Sequence, residues 1–394
     1  MSLPTWPVFD HEELNAVVRV LSSGKVNYWT GSEGKSFESE FAKWSNCSHA
    51  IAIANGSLAL SAAYLSIDIG INDEVITTPR TFVATASSIS LLRATPVFAD
   101  VDINSGCITA ETIEPMITPK TKAISVVHLG GWPADMQSIC ELAKHYGIKV
   151  VEDCAQAHGA QIKTNNKWRS VGSYADVSAW SFCQDKIMST GGEGGMVTTN
   201  DSSLYSKVWS IKDHGKSFEK VNLPPNMQPS GFRWLHDSFG SNFRLTEMQS
   251  IIGREQLKKM EEWHDSRKTN ARILISRLQK IAAIRIPIVP SNVEHAWYKF
   301  YCYVNPSSLR ADWSRDRIVE EIKREGYPAF QGGCSEVYLE ACFKPLGITA
   351  DQRLPNAKTL GETSLMFLVH PSITPLFMDV YAQTISKTIC RAIL

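Results

Sequence analysis

The sequence predicts an α/β protein in which a mostly parallel mixed sheet is covered by flanking helices and followed by a smaller α+β domain. Three observations carry that expectation. Short apolar runs alternate with helical patterns from about residue 50 to residue 200, as strands joined by helical crossovers do. From about 245 to 282 the pattern turns long and helical, then gives way to strand-like and amphipathic stretches. A chain of 394 residues with 43% apolar side chains supplies core for two domains, and the change of pattern divides them at 1–250 and 251–394.

The expected strands of the first domain are Ala50 to Ala54, Glu74 to Thr77, Val97 to Asp100, Ala123 to His128, Lys149 to Asp153, Val177 to Phe182 and Met196 to Thr199. Apolar runs of this kind, separated by helices, imply a parallel sheet buried on both faces. Asp135 to His145 reads as a covering helix, because Met136, Ile139, Leu142 and Ala143 recur at helical spacing and Gly147 ends the pattern. Leu245, Met248, Ile251, Leu257, Met260, Ile273, Leu274 and Leu278 mark the long helical stretch shared by both domains. Ile284 to Ile288 and Ala296 to Val304 then read as strands, and Arg315 to Glu325 as an amphipathic helix.

Composition narrows the function classes. Forty Lys plus Arg balance forty Asp plus Glu, so no net field draws the chain to nucleic acid or to an acidic membrane surface. The longest weakly polar stretch, Ser57 to Ile71, contains Ser and Asp and falls short of the ~18–20 apolar residues of a bilayer span. Met1 to Asp10 lacks the basic and apolar segments of a secretory signal, so the cytoplasm is the expected location. Nine scattered cysteines with no C-x-x-C pair read as reduced thiols, not as a disulfide framework, and no metal site is expected.

Ligands of open α/β sheets bind beyond the carboxyl ends of the strands, and four strand exits here carry chemistry. After Ala52-Ile-Ala-Asn55, Gly56 permits a tight turn and Ser57 stands at a helix start, where free amides and the helix dipole favour an anion. Val150-Val-Glu-Asp153 ends a buried strand on a carboxylate that needs a cation or several donors, such as a protonated ring nitrogen. Lys186 follows Val177-Ser-Ala-Trp-Ser-Phe182 and precedes Gly191-Gly-Glu-Gly-Gly195, which places an amine for Schiff-base chemistry beside backbone that permits close approach. Phe82, after Thr77-Thr-Pro-Arg-Thr81, can lie flat on a ring. Taken singly, each has an ordinary structural reading: a capped helix, an ion pair, a solvated lysine, a core aromatic. Taken in order, they match how a protein holds pyridoxal 5'-phosphate.

These residues resemble the nucleotide-sugar aminotransferases of the DegT type, within the fold-type-I pyridoxal phosphate enzymes. The resemblance runs through Tyr28-Trp-Thr-Gly31, Asn55-Gly-Ser57, Val97-Phe-Ala-Asp100, His128-Leu-Gly130, Glu152-Asp-Cys-Ala-Gln156, Ser181-Phe182 with Lys186, Gly192-Glu-Gly-Gly195, Lys212-Asp-His-Gly215, Gly240-Ser-Asn-Phe-Arg244 and Leu354-Pro-Asn-Ala357. It implies that Lys186 carries the cofactor through an imine, Asp153 faces the pyridinium nitrogen, and Gln156 bonds the ring hydroxyl. It implies that Gly56, Ser57 and Ser181 hold the phosphate and Phe82 stacks on the ring. Asn242 matches the residue that reaches the phosphate from a neighbouring subunit, which implies a homodimer with shared active sites. The implied reaction moves an amino group, with L-glutamate as expected donor, to a 4-keto-6-deoxy or 3-keto hexose on a nucleotide diphosphate. Its product would feed lipopolysaccharide, O-antigen or other glycan synthesis.

Several points stay open. One branch of the family has histidine in place of the lysine and dehydrates its sugar; Lys186 favours transamination, although some lysine-bearing members dehydrate and others aminate cyclitols. A cofactor-binding regulator without turnover is the non-enzymatic alternative. Gly326-Tyr-Pro-Ala-Phe-Gln-Gly-Gly-Cys334 departs from the family pattern and is expected near the sugar pocket. Tyr28 and Trp29 are expected to stack on a base or sugar, His158 and His214 are candidate substrate contacts, and Arg244, Arg233, Lys212 and Lys216 are candidates for the diphosphate. Gly31-Ser-Glu-Gly34-Lys35-Ser36 lacks the spacing of a phosphate loop and is expected at the site entrance.

Overall fold

Apolar runs too short for helices pair into β1 (His49–Ile53), β2 (Glu74–Thr77), β3 (Thr95–Phe98), β4 (Thr121–Val127) and β5 (Lys149–Asp153). A hairpin of β6 (Gln161–Thr164) and β7 (Lys167–Ser170) follows, then β8 (Val177–Ser181) and β9 (Gly195–Thr199). The computed structural model describes residues 3–227, 231–347 and 353–393. The main sheet has seven strands in the order β1-β9-β8-β5-β4-β2-β3.

Neighbouring residues of one strand feed opposite cores, which is why the runs are continuous rather than alternating. Ile51 and Ile53 meet Ala59, Leu60 and Ala63 of the helix Gly56–Ser66. Ala50 and Ala52 meet Phe37 and Phe41 of the helix Glu33–Trp44, together with Trp180. Ile124 and Val126 meet Met136 and Ile139 of the helix Met136–Tyr146, which Asp135 caps and Gly147 ends at φ 68°. Each buried Ile, Leu, Val, Phe or Met among them contributes about 1.5–3 kcal/mol relative to exposure.

Strand direction brings the four exits to one edge. β2, β3, β4, β5 and β8 run parallel. The connection from β8 to β9 holds no helix, so β9 returns antiparallel, and β1 pairs antiparallel with β9. Two reversals leave β1 pointing the same way as β8. Hence Asn55, Thr77, Asp153 and Ser181 all leave the sheet on the same side.

A second sheet, with a separate core, uses β10 (Ile284–Arg285), β12 (Phe300–Val304) and β13 (Ser364–Phe367), while β11 (Val293–Glu294) joins β6. Leu274, Phe300, Ile318, Phe367 and Ile385 lie in this core, under the helices Met260–Leu278, Arg315–Arg324 and Pro375–Ala392. Met260 and Trp263 of the first of these helices pack instead with Phe37 and Trp180. We propose 1–250 and 251–394 as the two domains, with this helix serving both.

Some expectations shift. The long helical stretch divides into the helices Glu247–Leu257 and Met260–Leu278 at Lys258-Lys259, where no proline or glycine marks the break. The strand expected to Ile288 stops at Arg285; Pro287 has no amide to give, and Ile288 is exposed. The strand expected from Ala296 begins at Phe300, because Trp297 turns at φ 50°. Among the described residues no helix is long and apolar enough to cross a membrane.

Candidate active site

The four exits open into one cavity of about 950 Å³, lined by Gly56, Ser57, Phe82, Asp153, Gln156, Ser181 and Lys186. At its first corner Asn55, not Ser57, caps the helix Gly56–Ser66, accepting from Leu58 N at 2.9 Å. Gly56 and Ser57 are therefore the first helical residues, whose amides have no intrahelical partner. A side chain at Gly56 would put its Cβ 2.5 Å from Ser181 Cβ and 2.9 Å from Ser181 Oγ. One at Gly195 would come 2.5 Å from the Asn55 carbonyl oxygen. Both glycines allow β8, β9 and the helix start to close into an anion cradle with the Ser181 hydroxyl at its side.

Asp153 stands at the opposite corner, 5% exposed. Its Oδ2 accepts from Thr85 Oγ1 at 2.8 Å and its Oδ1 from Ala155 N at 3.1 Å. Burial pushes its carboxyl above the ordinary value, and the Thr85 and Ala155 bonds and the Lys186 charge offset only part of that. Such a carboxylate is stabilised by a further cation. Gln156 Oε1 accepts from Gly130 N at 2.8 Å, which fixes the amide and leaves its Nε2 donors for the cavity. Phe82, 67% exposed, offers an uncovered ring to the same space.

Lys186 is held by its backbone. Its amide donates to Cys183 O at 3.0 Å, and its carbonyl accepts from Trp6 Nε1 at 2.8 Å. Its Nζ lies 5.2 Å from the Tyr298 ring centroid and makes no ion pair among the described residues. The far wall comes from the second sheet and was not anticipated at residue level. Tyr298 donates to Asp185 Oδ2, Lys299 Nζ lies 4.5 Å from the same ring, and Tyr301 accepts from Gly333 N at 3.1 Å. Gly332, Gly333 and Cys334 line the cavity, as expected of that segment.

The remaining candidates lie elsewhere in this chain. His158 is fully buried between Trp180 and Phe182, its ring nitrogens without partners among the described residues, so the expected substrate contact is not available to it. His214 is exposed at φ 58° and does not line the cavity. Tyr28 donates to Glu38 at 3.0 Å, with the buried Lys212 Nζ 3.8 Å from its ring. Lys212 is itself paired to Glu38 at 3.1 Å and cannot serve a diphosphate. Trp29 lies under Lys216, and Lys216 and Arg244 both pair with Asp213. Arg233 donates to Lys220 O. Asn242 is exposed, its Oδ1 accepting from Arg244 N at 3.3 Å, away from the cavity of its own chain. The helix start at Gly34 takes no external anion, because Glu247 accepts from Glu33 N and Gly34 N at 2.6 and 3.0 Å.

Pyridoxal phosphate fits what is present: an amide cradle that a Cβ would fill, a fixed amide donor, an uncovered aromatic and, neither in an ion pair among the described residues, a buried carboxylate and an amine. Fold and site together define a fold-type-I pyridoxal phosphate enzyme. The family model described as the DegT/DnrJ/EryC1/StrS aminotransferase family matches residues 7–383. The chain belongs to this family, whose aminotransferases depend on pyridoxal phosphate. It is 35% identical over 315 residues to a UDP-N-acetyl-3-dehydro-alpha-D-glucosamine 3-aminotransferase of Acidithiobacillus ferrooxidans, covering 80% of this chain and 78% of that one. It is 33% identical over 368 residues to the dTDP-3-amino-3,4,6-trideoxy-alpha-D-glucose transaminase of Streptomyces venezuelae, covering 92% and 89%. A solved aminotransferase from Psychrobacter cryohalolentis superposes with a TM-score of 0.95 at 49% identity, covering 99% of both chains.

Proposed function

We propose that this enzyme transfers an amino group from L-glutamate to the ketone of a nucleotide-linked hexose, a 4-keto-6-deoxy or 3-keto sugar, and releases the amino sugar. The observation that carries this reading is the single cavity shared by the Lys186 amine, the Asp153 carboxylate and the Gly56-Ser57 amides. Its volume reaches the upper end of the ~300–1,000 Å³ usual for ligand pockets, which leaves room for substrate beside a cofactor and favours turnover over mere cofactor binding. The similarity to relatives named for UDP- and dTDP-linked sugars supports the substrate class.

When bound, pyridoxal phosphate supplies an electron-accepting ring and the carbon to which the migrating nitrogen is attached. In this proposal the amides of Gly56 and Ser57 and the Ser181 hydroxyl bind its phosphate, Phe82 orients its ring, and Gln156 donates to its hydroxyl. Asp153, held by Thr85 and Ala155, keeps a proton on the ring nitrogen. Lys186 Nζ, freed once the donor amine replaces it, takes the proton from the amine-bearing carbon of glutamate. It later returns a proton to the former ketone carbon of the sugar. Over both halves, glutamate and keto-sugar become 2-oxoglutarate and amino sugar. Asn242 completes the phosphate site of a second copy in a homodimer, with Tyr28, Trp29 and Arg244 beside it. The product feeds lipopolysaccharide, O-antigen or other glycan assembly in the cytoplasm.

Incubating the loaded enzyme with L-glutamate alone, then with a panel of UDP-, GDP- and dTDP-linked keto-sugars, tests the reading. It expects a change in the cofactor's visible band with glutamate and an amino-sugar mass from one member of the panel. No spectral change with any amino acid would favour a cofactor-binding regulator, and a dehydrated product a dehydratase.

A further inference from the structure

Lys299 brings a second amine into the cavity, and the proposed transfer leaves it without a role. It immediately precedes β12, anchored by its own amide to Gly130 O at 3.3 Å, and its side chain is only 15% exposed. Among the described residues its Nζ donates no hydrogen bond. Its nearest carboxylate, Asp185 Oδ2, is 3.9 Å away, already accepts from Tyr298 and has a 60% exposed side chain. The other charges facing Lys299 are cations, Lys186 from the loop after β8 and Arg267 from the helix Met260–Leu278. Burial and these two cations bring its amine down to about 8, against the weaker opposing pull of Asp185. A buried ammonium with unused donors is costly unless a ligand supplies the counter-charge. It lines the same cavity as Lys186, the two amines lying 4.5 and 5.2 Å from the Tyr298 ring centroid.

We propose that Lys299 is a carboxylate-binding residue, seating an anionic group carried close to the reacting carbon of a substrate. The inference rests on the aminotransferase reading, and two substrates of that reaction can supply the carboxylate: the amino-acid donor, or a sugar acid in place of a neutral hexose. Asp185 does not displace such a group, because it is held by Tyr298 and is largely in solvent.

The test is equilibrium binding by calorimetry to the loaded enzyme, which requires no turnover and so stands apart from failure of the transamination assay. The probes are glutarate for the donor, UDP-glucuronate for a sugar acid and UDP-glucose as the neutral control. In K299M the affinity for glutarate, UDP-glucuronate or both falls about tenfold or more, the usual effect of losing a charge-assisted hydrogen bond. K299R keeps most of it, and UDP-glucose binding is unchanged. Loss confined to glutarate assigns the site to the donor, and loss confined to UDP-glucuronate assigns it to the sugar. Unchanged binding of both acids, equal weakening of all three probes, or no binding of either acid to the wild type overturns the proposal. Should K299M fail to load cofactor, K299Q carries the same comparison.

Discussion

Replacing Asp153 by asparagine is expected to move stability and catalysis in opposite directions. In the cofactor-free chain this carboxyl is buried and, among the described residues, accepts from Thr85 and Ala155 alone, and its proton affinity is raised above the ordinary value of 3.8. The native state therefore binds more protons than the unfolded state between the two values, so stability falls as pH rises through the native one. The cost is complete once the pH exceeds the native value. An asparagine side chain at this position would keep the hydrogen bond from the Ala155 amide and remove the buried charge, so cofactor-free D153N should be about 1–3 kcal/mol more stable at pH 8, with the advantage shrinking towards pH 4. Turnover should move the other way. Removing one partner of a buried ion pair costs about 3–5 kcal/mol, which corresponds to roughly two to three and a half powers of ten in rate. Urea unfolding of the cofactor-free proteins across pH, with single-turnover rates of the loaded ones, measures both. A D153N chain less stable than wild type at pH 8, or turning over within about threefold of it, would refute the reasoning.

Gly56→Ala drives a Cβ into Ser181, whose Cα lies 3.2 Å from it, so the end of β8 must move; cofactor affinity should fall roughly 5- to 150-fold by equilibrium dialysis, from about 1–3 kcal/mol of overpacking. Lys212→Met leaves Glu38 buried without its cation and should lower the unfolding free energy by about 3–5 kcal/mol in urea; a loss below about 1 kcal/mol would mean the pair carries little. Burial pushes the Glu152 carboxyl up, but bonds from His128 at 2.9 Å and from the Gly172 and Ala175 amides outweigh it and hold the carboxyl below its ordinary value. Its stabilisation is complete above that ordinary value and is lost as pH falls through the lower native one. The stability gap between wild type and E152Q should thus close below about pH 4, and a gap constant from pH 7 to pH 3 would contradict this.

The parallel sheet was legible because strands buried on both faces must be apolar throughout, so Glu74–Thr77 and Lys149–Asp153 match their expected ranges. Strand direction was not, since an apolar run carries no arrow; β9 turns back only because the loop bearing Lys186 holds no helix. The hairpin β6–β7 escaped notice because Lys163, Lys167, Trp168 and Arg169 are exposed or half-exposed and polar in pattern. Asn165-Asn166, at φ 50° and 60°, was the available turn signal. Residues at sheet exits announced themselves through chemistry at strand ends. Thr85 did not, although it faces Thr81, four residues earlier, at 2.8 Å and orients Asp153. Tyr298 and Lys299 were hidden in a stretch that reads as a core strand, and only the apposition of the second sheet to the first brings them over Lys186.

The most direct measurement is to load the protein with pyridoxal phosphate, reduce it with borohydride so that the cofactor stays on the amine holding it, and map the modified peptide by mass spectrometry. The account predicts modification at Lys186 in the wild type and none in Lys186→Ala. A cofactor fixed to Lys299 or to any other lysine of the wild-type chain would contradict it.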